Sequence, residues 1–214
     1  HKKWGGTGSD MEDKIVKWAA ELQSIAQAGL FYGRDAFDRE RYQRIRELSA
    51  EMMAERTGLS VKRITDLFCS DSGYQTPKID TRAAIFQEDR ILLVHEKSGA
   101  WSIPGGWCEY HLSPAENAVK EVKEEAGLDA VVKMVISVQD REKHNAPSYP
   151  YGVVKIFYLC DVLGGSFVEN TETSESGYFS EDALPPLATE KCTKDQIKLC
   201  FQAYRAKFWQ TQFD

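Results

Sequence analysis

The sequence contains no long apolar run, no paired cysteine motif and no excess of positive charge, and each absence excludes a class of protein. No stretch approaches the roughly 18 consecutive apolar residues of a membrane-spanning helix, and no signal peptide opens the chain. The five cysteines are widely spaced and form no Cys-x-x-Cys pair, which disfavours a disulfide framework or a structural zinc site. We therefore expect a soluble, cytoplasmic protein with reduced thiols and no membrane partner.

Charge and composition narrow the range of partners. The chain carries 27 lysines and arginines against 33 aspartates and glutamates, a formal net charge of −6. Binding to DNA through bulk electrostatics is therefore disfavoured, and an anionic substrate would require metal ions or a local basic patch. The 42% share of hydrophobic residues is that of a folded protein, and 214 residues suffice for one ordinary domain with a small appendage.

The first part of the chain predicts helices only. Residues 1–10 have no periodicity and are interpreted as an expression leader. Apolar residues at three- and four-residue steps then predict one helix that ends at Gly29, a second over 39–55 and a third from Ser60. These helices form a predicted all-helical domain over 11–70. The polar segment 71–77, which contains glycine and proline, is the predicted linker.

Beyond residue 77 the pattern predicts strands mixed with helices. Helices are expected over 115–126 and 193–208. Alternating or short apolar runs predict five strands: 79–86, 91–95, 131–138, 153–162 and 176–180. This mixture indicates a layered α/β or α+β domain over 78–214.

A glycine-rich loop that begins with Gly105-Gly106, together with the capped helix that follows it, carries the strongest functional signal. Ser113 is the predicted N-cap, Pro114 the first helical residue and Glu116 the capping-box carboxylate, and Gly127 suits the left-handed C-terminal position.

Three glutamates of that helix, Glu121, Glu124 and Glu125, are spaced i, i+3 and i+4 and are expected to share one face. These carboxylates repel one another, but the arrangement becomes favourable when a divalent cation bridges their oxygens. Mg²⁺ fits such a site because it binds through a few carboxylates together with substrate phosphates. The alternative is a solvated acidic face paired with neighbouring lysines.

The segment from Gly106 to Leu128 resembles the signature of the Nudix hydrolases, which cleave nucleoside diphosphates linked to another moiety. The signature consists of Gly, five residues, Glu, seven residues, Arg-Glu, an apolar residue, any residue, Glu-Glu, any residue, Gly and an apolar residue. The sequence departs from it at two positions, with Leu112 in place of the first Glu and Lys120 in place of Arg. The remaining positions match: Gly106, Glu121, Val122, Glu124, Glu125, Gly127 and Leu128.

The resemblance implies a fold and an activity. The expected fold is a Nudix α/β/α sandwich with a mixed sheet, preceded by the small helical domain. The expected reaction is Mg²⁺- or Mn²⁺-dependent hydrolysis of a pyrophosphate bond in a small-molecule nucleotide. The helical extension and the segments 119–125 and 140–145 resemble a bacterial branch that includes CDP-choline pyrophosphatases, so CDP-choline, cleaved to CMP and phosphocholine, is the first expected substrate. ADP-ribose, another nucleotide sugar or an RNA end are the alternatives.

The resemblance also implies roles for individual residues. Glu121 and Glu125 are the expected principal metal ligands, with Glu124 as ligand or general base and the Gly105 carbonyl as a backbone ligand. The general base stays open because it varies within the family and Leu112 removes one candidate.

Further charged residues are candidate substrate contacts. Each is weighed against the alternative of an ordinary exposed charge. They are Arg82, Lys143, His144, Glu172 and Glu175, of which the last two could also serve as an additional metal ligand or base.

The helical domain permits a second class of function. Residues 54–64 have the spacing of a helix-turn-helix, so a nucleotide-sensing DNA-binding regulator with an inactive Nudix domain is the rival hypothesis. Residues 11–70 carry nearly balanced charge, which disfavours DNA as a partner. Amphipathic helices need a surface to bury against, so we expect this domain to cover the pocket or to form a homodimer.

Overall fold

The computed structural model describes residues 8–69, 72–97, 99–149 and 151–214. The chain divides into two compact units, which fall within His1–Pro77 with Ser148–Gly152 and within Lys78–Pro147 with Val153–Asp214. Of the predicted leader, residues 1–7 lie outside the described residues, as do residues 70 and 71 around the start of the predicted linker. Among the described helices, none is long and apolar enough to cross a membrane.

The described secondary structure comprises six helices and eight strands. The helices are α1 (Gly8–Tyr32), α2 (Ala36–Thr57), α3 (Val61–Phe68), α4 (Pro114–Ala126), α5 (Arg141–His144) and α6 (Lys194–Arg205). The strands are β1 (Lys78–Gln87), β2 (Arg90–Glu96), β3 (Trp101–Ser102), β4 (Gly105–Trp107), β5 (Leu128–Asp140), β6 (Val153–Gly165), β7 (Thr173–Phe179) and β8 (Gln212–Phe213).

The first unit is helical, as predicted, but Gly29 does not end its first helix. Helix α1 continues three residues further, and a Cβ at Gly29 would collide with the ring of Tyr42 on α2. This glycine therefore serves close packing between the two helices and not termination. Helix α2 begins earlier than predicted because Asp35 caps it, accepting hydrogen bonds from the backbone N–H groups of Phe37 and Asp38.

The second unit contains a mixed eight-stranded sheet. The strand order is β3-β2-β1-β6-β5-β8, with β4 also paired to β1 and β7 also paired to β2. Strands β1 and β6 run parallel over eight paired positions, from Lys78↔Val153 to Ile85↔Cys160, and most other pairs are antiparallel. The five predicted strands and two predicted helices are all present. The short elements β3, β4, α5 and β8 were not predicted.

Each face of the sheet has its own hydrophobic core. Helix α4 buries Ala118, Val122 and Ala126 against one face. Helix α6 buries Ile197 and Phe201, among others, against the opposite face. Helices on both faces of a mixed sheet constitute the expected α/β/α sandwich. Strand β4 pairs with β1 directly before the loop that leads into α4, so the sheet fixes the position of the glutamate-bearing helix.

Candidate functional site

Helix α4 is fixed at both ends, as the sequence predicted. Ser113 accepts a hydrogen bond from the N–H of Glu116, and Glu116 accepts one from the N–H of Ser113, which completes the capping box. Pro114 occupies the first turn, and Gly127 ends the helix in the left-handed conformation at φ 70°. These caps define where each glutamate of the helix lies.

Glu125 is buried against the first glycine of the loop. The backbone N–H of Gly105 donates a 2.8 Å hydrogen bond to Glu125 Oε2. Gly105 has φ 150°, and a side chain there would collide with the Thr81 carbonyl, so only glycine allows this approach. Burial raises the pKa of Glu125 to about 7, with a further contribution from the charge of Glu121, while the Gly105 N–H and Arg82 oppose the rise.

Glu121 is buried against the second glycine. A Cβ at Gly106 would lie 2.9 Å from Glu121 Oε2, so the absent side chain makes room for the carboxylate. Burial is the main reason that the pKa of Glu121 is raised, and the charges of Glu124 and Glu172 add to it. The two glycines thus hold two buried carboxylates beside each other.

Glu124 lies on the same α-helix at the predicted spacing, but it is not buried as Glu121 and Glu125 are. Its side chain is 58% exposed, and Lys120 Nζ lies 2.5 Å from its Oε2. The glycine loop covers only the side of α4 that presents Glu121 and Glu125, so Glu124 remains at the surface. Lys120, at the position where the signature has Arg, also contacts Glu109 in the loop before α4. Sequence reasoning missed Glu109, because it lies outside the helix and the signature assigns it no role.

The residue types at this site fit a hard divalent cation. Mg²⁺ binds proteins through one or two carboxylates and keeps waters and substrate phosphates as its other ligands. Glu121 and Glu125 are two buried carboxylates that could hold such an ion. Within the described ranges, no group of three or more His, Cys, Asp or Glu side chains has a metal-binding arrangement. The contact of Glu124 with Lys120 accords with that result.

Arg82 lies in a buried ion cluster below the glycine loop. Its guanidinium donates to both carboxylate oxygens of Asp80, at 3.1 and 2.8 Å, and to the carbonyl of Ile103 at 3.2 Å. Lys155 of β6 lies 3.2 Å from Asp80 Oδ2 and also donates to the Lys191 carbonyl. The donors of Arg82 are therefore directed to protein acceptors in this structure. Its predicted contact with substrate stays a prediction.

Glu172 directly precedes β7, and Glu175 lies within it. Glu172 is exposed and near enough to Glu121 to raise the pKa of that carboxyl, whereas Glu175 is exposed opposite His95 of β2. The same segment binds the end of α4. Asn170 Nδ2 donates to the Glu124 carbonyl at 2.9 Å, and Thr173 Oγ1 donates to the Glu125 carbonyl at 2.7 Å.

Lys143 and His144 lie on α5. Lys143 is exposed, and His144 Nε2 lies 2.8 Å from Asp214 Oδ1. His144 lines a cleft of about 290 Å³ between β5 and α6, together with Gln139, Asp195, Gln196, Lys198, Leu199 and Gln202. The glutamates of α4 are not among the residues that line this cleft.

Comparison with known proteins identifies the class to which this site belongs. Residues 76–200 match the family model of the NUDIX domain, and residues 13–68 match a model described as a UDP-X-like N-terminal oligomerisation domain. The chain therefore belongs to the Nudix family, and it is a Nudix hydrolase.

Individual relatives are similar over most of the chain. The Bacillus subtilis (strain 168) protein YjhB, provisionally named an ADP-ribose pyrophosphatase, is 44% identical over 205 residues. The matched residues cover 95% of this chain and 99% of the relative. The crystal structure of a UDP-X diphosphatase is 34% identical with a TM-score of 0.62, covering 94% of this chain and 98% of the other. The crystal structure of an ADP-ribose pyrophosphatase from Streptococcus suis 89-1591 is 55% identical with a TM-score of 0.61, covering 65% of this chain and all of the other.

Proposed function

We propose that this Nudix hydrolase cleaves the pyrophosphate bond of a nucleoside diphosphate linked to a sugar, with ADP-ribose as the first candidate substrate. The observation that carries the proposal is the pair of buried carboxylates, Glu121 and Glu125, held against Gly105 and Gly106. Buried carboxylates are costly to ionise unless a cation offsets their charge; a divalent cation bound between Glu121 and Glu125 would do so, and a pyrophosphate would supply the remaining oxygen ligands of Mg²⁺. The substrate class is supported by the names of the relatives.

The residues of the chain have separate tasks in this proposal. When bound, a divalent cation neutralises the phosphoryl oxygens and makes water a stronger acid. Glu121 and Glu125 hold that ion, and the Gly105 N–H keeps the Glu125 carboxylate in a fixed orientation, while the Gly105 carbonyl is the proposed backbone ligand. The exposed carboxylate of Glu124 accepts the proton of the water that attacks phosphorus, and the bridging oxygen leaves with the second phosphate.

Other candidate residues keep secondary proposed roles. Glu172 is proposed as the additional carboxylate of the site because its charge acts on Glu121. Lys143, His144 and Glu175 are proposed contacts for the part of the substrate away from the pyrophosphate, and His144 is supported by its position in a cleft.

The substrate is tested by identifying products. With Mg²⁺ or Mn²⁺ present, we expect ADP-ribose to yield AMP and ribose 5-phosphate, and we expect EDTA to abolish the reaction. UDP-glucose and CDP-choline are the parallel substrates, and ion-pair chromatography separates all the products. Cleavage of CDP-choline alone would support the choline branch and contradict ADP-ribose as substrate. Absence of product from all three compounds would contradict the substrate class.

We further propose that α1 forms a homodimer interface. Trp18, Ile25 and Tyr32 are all exposed and follow each other at seven-residue intervals, which places them on one side of the helix. An exposed apolar stripe of this kind is typical of a protein contact surface. The similarity of residues 13–68 to an oligomerisation domain supports a second copy as the occupant.

The double variant Trp18→Glu/Ile25→Glu is expected to convert the dimer to a monomer, because it places two charges on each protomer in an apolar interface from which water is excluded. Light scattering coupled to size-exclusion chromatography measures the mass. Phe208→Glu, at an exposed aromatic of the second unit, is the matched control and is expected to remain dimeric. A monomeric parent protein, or a dimer that survives the double substitution, would contradict this interface.

A further inference from the structure

The ammonium group of Lys120 lies among three carboxylates. Its Nζ is 2.5 Å from Glu124 Oε2, 3.1 Å from Glu109 Oε1 and 3.4 Å from Glu121 Oε1. Two of these partners belong to α4: Glu121, a proposed metal ligand, and Glu124, the proposed general base. The third, Glu109, comes from the loop between β4 and α4, three residues before Leu112.

Glu109 is held in place by the fold and not only by its charge. Its backbone N–H donates a 3.1 Å hydrogen bond to Asn117 Oδ1, and Asn117 Nδ2 donates to Thr81 Oγ1 of β1 at 2.9 Å. Asn117 is fully buried in α4, so one side chain ties the loop, the helix and the sheet together. The Glu109 carbonyl also accepts from the N–H of Leu112 at 3.1 Å. The loop is thus folded so that Glu109 faces Lys120.

Lys120 and a divalent cation would compete for the carboxylate of Glu121. A carboxylate that is paired with an ammonium group binds a metal ion less readily, because the metal must displace or tolerate that positive charge. Glu121 is the proposed metal ligand that Lys120 contacts, and Lys120 also pairs with Glu124, the proposed general base. A third carboxylate that holds Lys120 without itself belonging to the signature would relieve this competition, and Glu109 is placed to do so.

We propose that Glu109 is a positioning residue of the metal site and acts through Lys120. It would keep the ammonium group as its own counter-ion, so that Glu121 is free to hold the cation and Glu124 is free to act as the base. Glu109 thereby supplies to this site a carboxylate that the signature would place at position 112, where the chain has Leu. The inference rests on the proposed function, because it requires that Glu121 binds a divalent cation.

The test is a double-mutant cycle read out as Mn²⁺ affinity, measured by electron paramagnetic resonance on the full chain without substrate. Glu109→Gln is expected to weaken Mn²⁺ binding by about fivefold, the equivalent of one partly exposed ion pair. Lys120→Met is expected to tighten binding. In the Lys120→Met background, Glu109→Gln is expected to have no further effect, since the residue it acts through is gone. Glu109→Asp, which keeps the charge, is expected to retain most of the affinity.

The same helix provides a matched control pair. Lys123 Nζ lies 2.8 Å from Asp129 Oδ1, and both side chains are more than half exposed and away from the glycine loop. Asp129→Asn is expected to leave Mn²⁺ affinity unchanged. Equal losses from Glu109→Gln with and without Lys120 would show a direct ligand and overturn the positioning role. Unchanged affinity in Glu109→Gln would also overturn it. Absence of Mn²⁺ binding in the parent protein would instead overturn the proposed function.

Discussion

Substitution of Glu125 by glutamine is expected to lower turnover of the nucleotide substrate by about 10³-fold, comparable with the loss of a central electrostatic element in other enzymes. Glutamine has the same shape, and its carbonyl oxygen can still accept the 2.8 Å hydrogen bond from Gly105. What is lost is the negative charge, which is the property that a divalent cation requires. The measurement is the initial rate of product formation at saturating Mg²⁺.

Glu124→Gln provides the comparison within the same helix. Removal of a general base is expected to cost about 10²-fold, with Mn²⁺ affinity much less affected than in Glu125→Gln. Asp129→Asn, a surface carboxylate on the strand that follows α4, is the control and is expected to keep parental activity. Undiminished turnover in both Glu124→Gln and Glu125→Gln would remove the assignment of the active site to this helix.

The second large effect concerns stability. Asp80→Asn is expected to reduce the free energy of unfolding by about 3–5 kcal/mol, the cost of removing one partner from a buried ion cluster. Asp80 is 5% exposed and faces two cations, Arg82 at 4% and Lys155 at 1%. Burial and the positive charge of Arg82 lower the pKa of Lys155, and the charge of Asp80 opposes this shift; the resulting pKa is about 8. Urea unfolding followed by circular dichroism measures the loss.

The double variant Asp80→Asn/Lys155→Met separates charge from packing. With one of the two cations removed, part of the lost stability is expected to return, because the remaining guanidinium no longer faces a second buried positive charge. A loss below about 1 kcal/mol in Asp80→Asn alone, the range of a surface ion pair, would show that this cluster does not contribute as a buried one.

The local parts of the fold and site could be predicted from the sequence. Each cap of α4 is local: Ser113 and Glu116 are three positions apart, and the N–H of Gly127 bonds to the Lys123 carbonyl four positions back, so both caps are visible as a pattern. Strand alternation and helical periodicity likewise located the main elements to within a few residues. The signature contains both buried glutamates and Gly106, because the chemistry of this site is concentrated in one continuous segment.

The long-range parts could not be predicted. Asp80 and Lys155 meet because β1 pairs in parallel with β6, and no local pattern gives the register of strands so far apart. Arg82 is buried in β1 between two other strands, where it pairs with Phe157 of β6 and Gly105 of β4. Gly29 is a second example, in the helical unit. The sequence pattern predicts that it ends α1, but it instead makes room for the ring of Tyr42, which lies on the next helix and is not visible in the local sequence.

The junction between β7 and the loop before it constrains where homologues of this protein can differ in length. Asn170 and Thr173 donate to the carbonyls of Glu124 and Glu125, so they satisfy backbone acceptors that the end of a helix leaves without intrahelical partners. An insertion between these two residues would uncouple the loop from the helix and leave those acceptors without these donors. Length variation should therefore be tolerated on the N-terminal side of Asn170, whereas the spacing from Asn170 to Thr173 should be kept.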